Sequence, residues 1–374
     1  MKFFLNTNFI IEHGSSHTIA NLIKKNIGSF HRPAIIYDAI LDGQAHFNLA
    51  LKNLKEAFSQ VNIQVNNIQG EPTYRYLNKL SDYFRSKEID IVIAIGGGST
   101  MDLGKGIAFL LNNKGDALKY KGFPKNINDP LPLVTCPSLF GSGADISYNA
   151  VFIDEDEGRK LGINSTKNFP NLSIIDSELT MEAPSSVIIS SAMDTLVHCI
   201  DSFGSIKHTQ MSRMYSTQGF SKTFNVLLNN KHMSLNSRND LALGSICGIT
   251  ALMNSGDGPT NGFAYYLGVK HKVPHGLAGA IFLKEVMKFN IYKKYKEYEK
   301  LIPNMNLIDL MDNFDHIYKN LDIPNLSNYG ITLKDLDNFV YESMNALSGS
   351  FSGNPVKFDK EAVKYIFRNL ITER

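Results

Sequence analysis

Asp194 and His198 stand four residues apart in SAMDTLVHCID. That spacing stacks them on one helix face, with Cβ atoms about 6 Å apart. A carboxylate oxygen and an imidazole nitrogen are ligands for Zn²⁺ or Fe²⁺, and the same spacing also suits a simple Asp–His hydrogen bond. Pro274-His275-Gly276 offers another imidazole at a helix start, with His271 as its near competitor; either also reads as a solvated surface histidine. Gly96-Gly97-Gly98-Ser99-Thr100 points to different chemistry. A glycine triplet between a strand and a helix lets the backbone approach a ligand, and the helix-start amides attract an anion such as pyrophosphate. The alternative is a tight turn without a ligand, and the run is not the GxGxxG fingerprint. Asp38, after an apolar run, suits ribose hydroxyls and would repel a 2′-phosphate. It equally suits a helix cap. Ser138-Leu-Phe-Gly-Ser-Gly-Ala144 is a second small-residue loop, either lying on a cofactor or simply turning.

The elements that position these residues alternate in the first half. Residues 33–37, 61–67, 89–95 and 131–135 read as strands. Residues 44–59, 73–87 and 101–111 carry helical spacing. The run Ile89-Asp-Ile-Val-Ile-Ala-Ile95 is β-branched without polar alternation, as a buried parallel strand would be. Strands alternating with helices predict βαβ units. After about residue 180 helical periods dominate, at 185–204, 209–229, 238–254, 276–299, 305–320 and 333–347. The expected organisation is an α/β domain over 1–180 and an all-helical domain over 181–374.

The 374 residues carry 38 Lys+Arg against 36 Asp+Glu, a net charge of +2. No basic excess exists to hold a nucleic-acid backbone. No apolar run approaches the roughly 18 residues of a membrane helix. Cys136, Cys199 and Cys247 are far apart and form no CxxC pair, as in a reducing compartment. The N-terminal apolar bursts are interrupted by Asn-Thr-Asn, unlike a signal peptide. A cytoplasmic protein with a small-molecule substrate, and no nucleic-acid or membrane partner, is the expectation.

Taken in order, GGGSTMDLGKGIA, PSLFGSGAD, Lys160, IIDSELT, SAMDTLVHCID and VPHGLAGAIF resemble the iron-containing, or group III, alcohol dehydrogenases. The resemblance runs from about Gly14 to Gly353-Asn354-Pro355. It implies an α/β dinucleotide-binding domain, an all-α domain and a cleft between them, the plan shared with dehydroquinate synthase. It also implies that Gly96, Gly97, Gly98 and Ser99 hold the pyrophosphate of NAD, with Asp102, Thr135, Ser138 and Ser142 in the same cofactor site. Asp38 matches the position that favours NAD over NADP, and Lys160 would sit near the dinucleotide. Asp194, His198 and His275 match three of the four ligands to iron or zinc. A homodimer or larger assembly is implied as well.

Two positions depart from that pattern. Family members carry histidines fourteen and ten residues before the PHG histidine; here these are Asn261 and Tyr265. Asn261 would ligate through its amide oxygen, or water would replace it, or the site would hold metal poorly. Tyr265 would orient substrate, relay a proton or form an aromatic wall. Tyr at this position, and RKLGIN at 159–164, resemble the branch of 3-deoxy-D-manno-octulosonate 8-oxidases. An anionic or sugar-like substrate, met by Lys160, Lys270 or Lys272, is one implication. The leading expectation is metal-dependent hydride transfer between NAD(H) and an alcohol or aldehyde. The alternatives are a synthase-like enzyme that uses NAD without net redox change, and a nucleotide-binding homologue without metal.

Overall fold

The computed structural model describes residues 3–68, 70–229 and 233–372. They form two compact units. The sheet unit comprises Leu5–Leu139 and Gly143–Ala183. The helical unit runs from Pro184 onward and includes Phe140–Ser142 and the described N-terminal residues up to Phe4.

In the sheet unit the chain runs β1 (Asn8–Ile11), α1 (Ile19–Asn26), β2 (Pro33–Asp38), α2 (Ala45–Ala57), β3 (Asn62–Asn66), α3 (Tyr74–Arg85), β4 (Ile91–Gly96), α4 (Gly98–Asn112) and β5 (Leu133–Pro137). Two short antiparallel ribbons follow, β6 (Asn149–Ala150) with β9 (Ile163–Asn164) and β7 (Ile153–Asp154) with β8 (Arg159–Lys160). Strand β10 (Leu172–Ile175) then completes a parallel sheet of order β1-β10-β5-β4-β2-β3. All six residues of β4 are buried, as expected of a strand covered on both faces. Alternate side chains separate the two cores. Ile35, Ile93, Ile95 and Val134 join residues of α1 and α2, whereas Ala34, Ile36, Val92 and Ala94 join residues of α3 and α4.

The chain leaves β2 toward β3 on one side and leaves β4 toward β5 on the other. The carboxyl ends of β2 and β4 therefore flank the topological switch point, where such sheets bind ligands. The pairing of Tyr37 with Ile95 sets Asp38 beside Gly96 at that point.

The helical unit contains α5 (Ser185–Gly204), α6 (Gln210–Leu228), α7 (Leu235–Met253), α8 (Pro259–His271), α9 (His275–Tyr292), α10 (Leu307–Asn320), α11 (Leu336–Ala346), α12 (Ser348–Phe351) and α13 (Lys360–Thr372). Every residue of α5 from Ala192 to Gly204 is buried, which fits its near-continuous apolar sequence. Helix α9 is shorter than the expected 276–299; Lys294 adopts a left-handed φ of 71° and the chain re-forms a 3₁₀ turn at Glu297–Lys300. A 3₁₀ turn at Leu333–Asp335 likewise precedes α11. Strands β1 and β10 and helices α1, α8 and α13 add to the elements expected from periodicity. Among the described residues no helix is long and apolar enough to cross a membrane.

Candidate functional site

At the switch point the chain leaves β4 through Gly96, whose φ of 155° lies outside the range of ordinary side chains. A Cβ there would stand 2.4 Å from Asp38 Oδ2. Glycine thus lets the turn close against the carboxylate. Asp38 Oδ2 accepts from the Gly97 amide (2.5 Å), and Oδ1 accepts from the Thr100 hydroxyl and from Asn66 Nδ2 (3.1 Å). Burial pushes the Asp38 carboxyl above its usual range, and the Thr100, Gly97 and Asn66 donors oppose that shift. Helix α4 starts at Gly98; the Thr100 amide donates to the Gly97 carbonyl (3.1 Å), so the amides left for an anion are those of Gly98 and Ser99, where the helix dipole also favours it.

The other sequence-marked residues of the sheet unit are distributed around this turn. Ser99 Oγ donates to the Gly70 carbonyl (2.9 Å), and neighbouring Glu71 holds Lys160 Nζ at 2.8 Å. Lys160 is thereby linked to the glycine turn through the 70–71 segment. The Ser138 amide donates to the Gly96 carbonyl (2.8 Å), tying the second small-residue loop to the first. The Thr135 hydroxyl is fully buried and donates to the Asp145 carbonyl (2.7 Å), which gives it a framework contact. Asp102 Oδ1 lies 3.2 Å from Lys105 Nζ, and Lys105 also donates to the Asn149 carbonyl (2.5 Å). This buried lysine sits in the quoted glycine motif, yet its apolar neighbours gave it no distinguishing pattern. Ser142 belongs to the helical unit.

In the helical unit, α5 carries Asp194 and His198, and α9 opens with His275. A Cβ on Gly276 would lie 1.9 Å from the Ser190 carbonyl oxygen. Only glycine lets the first turn of α9 rest on α5, and this contact brings His275 to Asp194. Asp194 Oδ1 lies 3.6 Å from His198 Nε2 and 3.7 Å from His275 Nε2. Asn261 Oδ1, on α8, is 3.1 Å from the same His275 nitrogen. Asn261 Nδ2 donates to the Tyr265 hydroxyl (3.2 Å), and the Tyr265 ring stacks on His275 with centroids 5.0 Å apart. His271 lies exposed at the end of α8, and Lys270 pairs with Glu342 at 3.3 Å.

These donors fit a divalent cation. Asp194 and His198 are each 4% exposed, and Asp194 Oδ1 has no hydrogen bond among the described residues. An orphaned buried carboxylate oxygen is costly. Its separations from the two imidazole nitrogens exceed a hydrogen bond, but approximate the roughly 3.4 Å edge of a tetrahedron with bonds of about 2.1 Å.

One positioning residue was hidden in the sequence. Asp201 continues the Asp194–His198 stripe along α5 and accepts from the amides of Gly258 (3.2 Å) and Asn261 (2.9 Å). It thereby caps α8 and sets Asn261. Burial raises its carboxyl to about 7, against the Asn261 and Gly258 amides, which lower it. The signal available was the second acidic residue in SAMDTLVHCID, seven positions after Asp194.

The chain matches the description "Iron-containing alcohol dehydrogenase" over residues 6–177 and "Fe-containing alcohol dehydrogenase family, C-terminal" over residues 188–371. It belongs to the iron-containing alcohol dehydrogenase family. This iron-containing alcohol dehydrogenase is 28% identical to the sulfoacetaldehyde reductase of Bilophila wadsworthia, over 72% of this chain and 73% of that protein. It is 25% identical to the 1,3-propanediol dehydrogenase of Klebsiella pneumoniae, over 89% and 87%. Its fold matches a crystal structure of sulfoacetaldehyde reductase from Bifidobacterium kashiwanohense in complex with NAD⁺, with a TM-score of 0.89, 19% identity and coverage of 100% and 99%. The chain is thus an oxidoreductase whose family cofactors are a nicotinamide dinucleotide and a divalent metal.

Proposed function

We propose that this enzyme transfers hydride between NAD(H) and a small polar alcohol or aldehyde, with the Asp194–His198–His275 cluster as its metal centre. The carrying observation is the buried, orphaned Asp194 Oδ1 flanked by two imidazole nitrogens at 3.6 and 3.7 Å. A bound divalent cation would act as a Lewis acid on the substrate oxygen. Asn261 is the fourth, weaker oxygen donor, because its Oδ1 already lies 3.1 Å from His275 Nε2.

The side chains around the cluster divide the remaining work. Tyr265 accepts from Asn261, so its own proton points away from that amide and donates to the substrate oxygen. Stacking on His275 fixes its ring. In the sheet unit, the α4 amides after Gly97 hold the pyrophosphate, and Asp38 takes the adenosine ribose hydroxyls and excludes a 2′-phosphate. Lys160, paired with Glu71, acts from the 70–71 segment on the dinucleotide side. The substrate class extends to anionic aldehydes, a reading supported by relatives named sulfoacetaldehyde reductase and 4-hydroxybutyrate dehydrogenase. A sugar acid falls within the same class, and Tyr265 is the residue that supports it.

A cytoplasmic homodimer or larger assembly is the accompanying reading. Its support is three free cysteines and the edge strand β1, whose Phe9 is exposed. The test is NADH oxidation across a panel of neutral and anionic aldehydes, before and after chelation. Turnover that chelation abolishes and Fe²⁺ or Zn²⁺ restores is expected. Absence of NADH binding and of turnover with every aldehyde would overturn the reading.

A further inference from the structure

A second group of ligand-type side chains converges in the sheet unit, apart from the glycine turn. His17 lies in the 3₁₀ turn Ser15–Thr18 after β1, His46 is the second residue of α2, and Glu178 lies in the turn Ser177–Thr180 after β10. His17 Nε2 is 3.2 Å from His46 Nδ1 and 3.7 Å from Glu178 Oε2, and His46 Nδ1 is 3.1 Å from that same oxygen. The two rings stack at 5.3 Å and 12°.

The surrounding framework sets these three donors in place. The buried carboxylate of Asp176 accepts from the amides of Gly14 (3.1 Å), Ser16 (3.0 Å) and Glu178 (3.0 Å), and from the Ser16 hydroxyl (2.6 Å). One side chain therefore locks the turn bearing His17 to the turn bearing Glu178. Glu182 accepts from the Ala45 amide (2.8 Å), which fixes the start of α2 next to His46.

Hydrogen bonding leaves this trio unbalanced. If His46 Nδ1 donates its proton to Glu178, it has no lone pair left for His17. If it accepts from His17, it has no proton for the carboxylate. The remaining His17–Glu178 separation of 3.7 Å exceeds a hydrogen bond. Three lone pairs turned toward one point meet no such conflict around a cation. The three edges, 3.1 to 3.7 Å, bracket the roughly 3.4 Å expected for bonds of about 2.1 Å.

We propose that His17 Nε2, His46 Nδ1 and Glu178 Oε2 form a second cation site, distinct from the Asp194 cluster, for a borderline first-row ion of the zinc class. Two imidazoles with one carboxylate select such ions over Mg²⁺ or Ca²⁺. The side chains are 27%, 33% and 24% exposed, so water reaches the remaining coordination position. The site shares no residue with the proposed reaction. Its consequence is structural: the ion clasps the segment after β1, the first turn of α2 and the segment after β10, and stabilises the folded chain by mass action.

The test uses the full chain, stripped by chelation and titrated with Zn²⁺ against a chromophoric chelator. In a His198→Ala/His275→Ala background, which removes the other cluster, one zinc equivalent should remain. Adding His46→Gln or Glu178→Gln should weaken that equivalent at least about tenfold and abolish the zinc-dependent rise in melting temperature. In the otherwise unaltered protein, His46→Gln should lose one equivalent that Asp194→Ala retains. That comparison stands even if the Asp194 cluster holds no metal. Equal zinc affinity and stoichiometry with and without His46→Gln would overturn the proposal.

Discussion

Around Asp38 the polar groups satisfy one another: the carboxylate takes Gly97, Thr100 and Asn66, and Asn66 also reaches the Thr100 hydroxyl at 2.8 Å. Around Asp194 the opposite holds, with a buried oxygen that accepts no hydrogen bond among the described residues and two imidazoles set just beyond its reach. The first site offers an anion backbone amides whose position is fixed by a closed network. The second offers a cation side chains whose network is open at the Asp194 carboxylate. A backbone site is most easily damaged by adding atoms, and a side-chain site by removing them.

Gly96→Ala probes that difference most severely. The new Cβ would fall 2.4 Å from Asp38 Oδ2, on backbone with a φ of 155°. Strain of this kind costs about 1–3 kcal/mol. NADH affinity, followed by fluorescence titration, should drop at least about tenfold while metal content stays unchanged. Normal NADH binding would erase the contrast between the sites.

Asn261→His should act on the other site alone. An imidazole replaces a weaker amide oxygen, and iron affinity should rise about tenfold with NADH affinity unchanged. Unchanged iron affinity would mean that residue 261 contributes no donor.

The smallest effect concerns pH. Burial holds the Asp38 carboxyl above its ordinary value, so its ionised, ribose-binding form is lost on acidification earlier than for an exposed aspartate. NADH affinity should fall severalfold as pH drops through a midpoint above about 3.9, and Asp38→Asn should flatten the profile. A profile identical in both proteins would remove Asp38 from the cofactor site.

Legibility in the sequence followed the same physical division. The buried strands β2 and β4 and helix α5 are long apolar runs, and their sequences announced them within a few residues. The glycine triplet and the Asp194–His198 spacing are local features, and both sit where their local patterns placed them. Helix α8 escaped because apolar residues cover it on every side and Gly262 and Gly268 interrupt any stripe. Strands β1 and β10 have four residues each, too few for a period to emerge. The His17–His46–Glu178 cluster was invisible for another reason. Its members are distant in sequence and meet only because the sheet brings β1, β10 and α2 together.

The central claim is that Asp194, His198 and His275 share one divalent ion that hydride transfer requires. Chelator-stripped wild type and Asp194→Ala, each reconstituted with Fe²⁺, bear on it most directly. Wild type should regain aldehyde-dependent NADH oxidation; Asp194→Ala should bind NADH normally, hold one iron equivalent fewer and fail to turn over. Equal iron content and equal turnover in the two proteins would contradict the claim.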